Sequence, residues 1–102
     1  MELTMTTLEL VRQKREEIER IAAEHGACNV RIFGSVARGD AGPASDIDLL
    51  VRVDVPSATS SWFPAGLILD LEKLLGSPVQ IVTEKGLSPL IRENVLREAI
   101  PL

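Results

Sequence analysis

The chain has no tyrosine, a single cysteine, and only one tryptophan and two phenylalanines in 102 residues. With Phe33, Trp62 and Phe63 as its aromatics, it offers few platforms on which nucleic-acid bases could stack. Cys28 has no partner for a disulfide or a cysteine zinc site, and is expected to behave as a small buried apolar residue. No apolar run approaches the roughly 18 residues needed to span a membrane. The opening MELTMTTLEL lacks the basic start and apolar stretch of a secretory signal, so a cytoplasmic location is expected. An excess of positive charge is also missing. Eleven Lys and Arg face fifteen Asp and Glu, a formal net charge of −4, which argues against general nucleic-acid binding. A nucleotide whose charge is carried by bound metal is not excluded. The composition is otherwise ordinary for a globular protein, and the length suits one domain, residues 1–102, with one modest core.

The apolar pattern predicts a compact order of elements. Residues 7–25 read as one helix, with Thr6 and Glu9 as a capping box and Leu8, Val11, Ile18, Ile21 and Ala22 on one face. Gly26 suits the position after its end, and His25 suits the helix C-terminus or plain exposure. Strands are predicted over 29–33, 46–53 and 78–83, with a short helical turn over 36–39. The polar, Pro- and Ser-rich stretch 54–62 reads as a flexible loop, with Trp62 and Phe63 either covering the core or facing a partner. The same choice applies to the apolar tail 99–102. A second helix is predicted over 64–75, stopped by Gly76. A last helix is capped by Ser88 with Pro89 at its first position, and Leu90, Ile91, Val95 and Leu96 form its apolar face. This order implies an α+β two-layer fold, a small mixed sheet with helices packed on it.

The informative stretch is GSVARGDAGPASDID, residues 34–48. Asp46 and Asp48 lie two apart on a predicted strand, so both project from the same face. Such a pair suits a divalent cation, which prefers hard oxygen ligands. The glycine-flanked turn at Gly34-Ser35 offers backbone N–H groups to a phosphate. Paired aspartates alone could equally cap a loop and blunt a sheet edge. Arg38 is as well suited to a salt bridge with Asp40 or Asp46 as to a phosphate.

Phe33-Gly34-Ser35, Arg38-Gly39-Asp40 and Ser45-Asp46-Ile47-Asp48-Leu49, in this order and spacing, resemble the minimal nucleotidyltransferases of the DNA polymerase beta-like superfamily. The flanking pattern extends the resemblance over nearly the whole chain. The resemblance implies a nucleotidyltransferase fold and an antitoxin that transfers AMP from ATP to a hydroxyl of a helical HEPN-class toxin. It implies two Mg²⁺ ions with Asp46 and Asp48 as metal ligands and catalytic residues, and Gly34, Ser35 and Arg38 as nucleotide-binding residues. A homo-oligomer is compatible with the same features. The absence of tyrosine excludes self-modification on that residue.

One position departs from the pattern. Active members of that family usually carry a third aspartate on the strand after the second helix, where this chain has Val79-Gln80-Ile81-Val82. Gln80 brings neither negative charge nor a general base, and losing a general base costs about 10²–10⁴ in rate. Glu84, four residues on, would lie roughly 13 Å along the strand, and Asp70 and Glu72 are expected on a solvated helix face. The alternative reading is therefore an antitoxin of weak or no catalytic power that binds nucleotide and neutralises its partner by contact.

Overall fold

The computed structural model describes residues 6–42 and 45–102. The predicted first helix is two. α1 spans Thr7–Gln13 and α2 spans Arg15–Glu24, with Lys14 between them at φ −98°, ψ 18°. The apolar stripe explains the break. Val11 and Ile18 are fully buried, but the turn between them carries Lys14 and Arg15 where an apolar residue would continue the stripe. The capping box forms as expected, with the Glu9 N–H donating to Thr6 Oγ1 at 3.1 Å.

β1 (Cys28–Phe33) leads straight into the short α3 (Gly34–Arg38), and β2 (Ile47–Arg52) follows. The 54–62 stretch holds a 3₁₀ turn at Pro56–Ala58, which packs against Gly26: a Cβ there would meet Ala58 O at 2.7 Å. Trp62 is exposed, whereas Phe63 packs on the core. α4 (Ala65–Leu75) ends at Gly76 in the left-handed conformation, φ 68°, as predicted. β3 (Val79–Thr83), α5 (Pro89–Glu98) and the two-residue β4 (Ile100–Pro101) complete the order. Ser88 caps α5, accepting the Leu90 N–H at 3.3 Å.

The sheet order is β3-β2-β1-β4, with β1 antiparallel to β2 and β4, and β2 parallel to β3. Alternation along β2 separates two layers. Ile47, Leu49 and Val51 point into the main core with Ile18, Ala22, Leu67 and Leu71 from α2 and α4. Leu50 points the other way, into a smaller cluster with Leu87 and Val95. Phe33, Asp48 and Gln80 are register partners across β1, β2 and β3, on the Leu50 side.

Two expectations fail, and one open choice resolves. Of the predicted apolar face of α5 only Val95 is buried; Leu90 is 91% exposed and Ile91 50%. The helix reaches the second cluster only through its C-terminal half. Of the two readings of the tail, covering the core is the one observed: β4 pairs Ile100 with Ile32 as an edge strand, and Ile100 and Leu102 pack on the main core. Cys28 is only partly buried, with Sγ 3.4 Å from Arg52 O, because it starts β1 at the rim of the sheet. Among the described residues no helix is long and apolar enough to cross a membrane.

Candidate active site

Phe33 is the last residue of β1 and the chain turns at once into α3, so Gly34 sits at the sheet end with φ +77°. Asp48, one residue into β2, lies directly against it. A Cβ on Gly34 would fall 2.2 Å from Asp48 Oδ2, so only glycine lets the carboxylate rest against this backbone. Val36 is buried in the main core and pins α3 down. Gly39, at φ +81°, ends the helix, and the Asp40 N–H returns to Ser35 O at 3.0 Å. The Ser45 hydroxyl accepts the Gly42 N–H at 2.9 Å and ties the following loop; residues 43–44 lie outside the described residues.

Asp46 precedes β2 and turns to the same end of the sheet. Gln80, the β3 register partner of Asp48, donates from Nε2 to Asp46 Oδ2 at 2.9 Å. The structure thus brings Gly34, Asp46, Asp48 and Gln80 together, with the amide in the position expected of a third carboxylate. Burial first, and the neighbouring Asp46 second, raise the Asp48 pKa above its ordinary value; the Arg38 charge opposes this.

Arg38 is locked by acidic neighbours. It donates from Nη1 to Glu98 Oε1 at 2.6 Å and from Nε to Asp40 Oδ2 at 3.2 Å. The Asp40 bridge was one of those anticipated; Glu98 was not. The other Glu98 oxygen accepts the Gly34 N–H at 2.9 Å. Arg38, and then that N–H, hold the Glu98 carboxyl below the ordinary range. Nothing in the local sequence marks Glu98, because its placement depends on β4 anchoring the end of α5.

Neither Glu84, Asp70 nor Glu72 replaces the missing carboxylate. Glu84 pairs with Arg31. Asp70 and Glu72 are not on a fully solvated face: Asp70 accepts from His25 Nε2 at 2.8 Å, and Glu72 accepts the Val79 N–H at 3.0 Å. His25 therefore ties α2 to α4 rather than standing free. Among the described residues, no group of three or more His, Cys, Asp or Glu side chains converges to hold a metal. The donor set that does come together, two partly buried carboxylates, fits Mg²⁺ in its usual mode, with one or two carboxylates and the remaining positions filled by water and substrate phosphates. A cleft of about 460 Å³, lined by Thr7, Leu8, Val36, Gly39 and Ala41, opens between α1 and α3 and includes neither aspartate.

Comparison with known proteins agrees with this fold. A protein from Thermococcus cleftensis, named protein adenylyltransferase MntA, is 36% identical over 94 residues, covering 83% of this chain and 92% of its own. A solved structure described as a "putative minimal nucleotidyltransferase" superposes with a TM-score of 0.80 at 53% identity, covering 93% of this chain and 95% of that one. A toxin–antitoxin crystal structure with AMP-PNP shares the fold, with a TM-score of 0.71 at 21% identity, covering 87% of this chain and 69% of that one. The nucleotidyltransferase domain family matches residues 11–102, and the chain belongs to that family.

Proposed function

We propose that this chain transfers AMP from ATP to a hydroxyl of a protein partner, as the antitoxin of a pair whose toxin is a helical HEPN-class protein. The observation that carries the reading is the seating of Asp48 on the Gly34 backbone with Asp46 beside it, which sets two carboxylates next to the Gly34-Ser35 turn. The relative named protein adenylyltransferase and the toxin–antitoxin neighbour support the acceptor class.

In this reading Gly34 and Ser35 receive the terminal phosphates through their N–H groups and the Ser35 hydroxyl, and Arg38 balances their charge. Asp46 and Asp48 would hold Mg²⁺, which neutralises charge on the triphosphate when bound. The acceptor oxygen forms a bond to the α-phosphorus, the bond from that phosphorus to the bridging oxygen breaks, and pyrophosphate leaves with the electron pair. The acceptor's proton passes to water, since Gln80 cannot take it. The test is mass spectrometry of the co-expressed partner. One AMP should be added with the native chain and none with Asp46→Ala; a mass gain indifferent to that substitution would sink the proposal.

A second reading is favoured by the Gln80–Asp46 hydrogen bond, which fills the third-carboxylate position with a neutral donor. Here the chain binds nucleotide and neutralises its partner by contact. It predicts a stable complex without mass gain, and a large rise in transfer for Gln80→Asp.

A further inference from the structure

Glu98 makes a contact that the sequence motif does not anticipate. Its two carboxylate oxygens are divided between a guanidinium and a backbone amide, Arg38 Nη1 at 2.6 Å and Gly34 N at 2.9 Å. An oxyanion bridging these two donor types is also how a phosphate group is held. The placement is built into the fold from both sides. Val95, one turn earlier, is buried in the second cluster, and Ile100, two residues later, pairs with Ile32 of β1. Ala99 between them is already extended, φ −64°, ψ 134°. Glu98 is thus held over Gly34 by the helix end and the edge strand together.

We propose that Glu98 is an internal counter-anion that occupies the Gly34 N–H and Arg38, so that a nucleoside triphosphate binds only by displacing it. This rests on the reading of Gly34 and Arg38 as phosphate-binding groups given above. Glu98 then selects for ligands that bring their own oxyanion to both donors. A nucleoside without phosphate leaves the contact intact and gains nothing from its loss. The same contact ties α5 to α3 in the free chain, so removing it weakens the fold while strengthening phosphate binding. A group that merely oriented Arg38 toward substrate would move both quantities in the same direction. The side chains of Arg38 and Glu98 are 50% and 27% exposed, so solvent screens the pair and the effect is modest.

The experiment is calorimetric titration of the native chain, Glu98→Gln and Glu98→Ala with Mg–ATP and with adenosine, beside urea unfolding of each. Glu98→Gln keeps the side-chain shape and an acceptor for the Gly34 N–H, so it carries the test if the alanine variant folds poorly. The expected result is a roughly 2–5-fold lower Kd for Mg–ATP, no gain with adenosine, and a lower urea midpoint. Unchanged or weaker ATP binding in the variants overturns the proposal, as does an equal gain with adenosine. If neither the native chain nor the variants bind Mg–ATP, the phosphate-site reading fails and this proposal fails with it. Native binding that the variants leave unchanged overturns only the role of Glu98.

Discussion

Gly34 and Asp48 constrain each other in ways that separate stability from binding. An alanine at position 34 would have to adopt φ +77° and place its Cβ 2.2 Å from Asp48 Oδ2. The backbone strain costs about 1–2 kcal/mol, and the carboxylate must swing away to clear the methyl group. Gly34→Ala should therefore lower stability by about 1–3 kcal/mol in urea unfolding and reduce Mg–nucleotide affinity more than 10-fold by titration. Asp48 itself opposes folding at neutral pH. Its pKa is raised in the folded state, so its contribution to stability is fully present below the unfolded pKa and is lost as pH rises through the folded one. Asp48→Asn should raise the unfolding free energy at pH 7, because it removes a carboxylate that burial and Asp46 disfavour in its charged form, while weakening metal–nucleotide binding. The gain should shrink as pH falls toward 4; a variant less stable than the native chain at pH 7 would contradict this. The motif pointed to both residues in the sequence. Their mutual contact was not legible, because it depends on the turn that brings the end of β1 against β2.

At the level of elements, local signals were reliable where the chemistry is local. The Thr6–Glu9 box, the left-handed Gly76 and the Ser88-Pro89 start of α5 were all legible, since each is fixed by residues within one turn. The break at Lys14 and the strand at Ile100–Pro101 were not, because they depend on what lies underneath. α5 shows the difference most clearly. Its apolar residues read as one stripe, yet only Val95 is buried, at 8% exposure, while Leu90 is 91% exposed. Val95→Ala should cost about 1–2 kcal/mol in urea unfolding. Leu90→Glu should change stability by no more than about 0.5 kcal/mol. Equal effects would mean that the whole stripe is packed.

For the whole molecule, electrostatics and topology combine. The formal net charge is −4. The sheet gathers Asp46 and Asp48 at one end, α5 adds Glu98, and Arg38 is already paired. A bare triphosphate approaching this end meets carboxylates of its own sign, whereas one carrying Mg²⁺ brings the charge they favour. Chelating the metal with EDTA should therefore weaken ATP binding at least about 100-fold, the scale of 2.7 kcal/mol at this dense a charge cluster. Salt should act differently here than on a basic nucleic-acid binder. The latter releases counterions from many phosphate contacts and loses about 10³–10⁵ in affinity between 50 and 200 mM salt. Here the carboxylates and a single paired arginine leave few counterions to release, and Mg–ATP affinity should fall less than about 10-fold over that range. Titrations at several salt concentrations, with and without EDTA, measure both effects. Binding that survives EDTA, or collapses with salt, would move the nucleotide's phosphates away from Asp46 and Asp48 and onto a basic surface elsewhere on the chain.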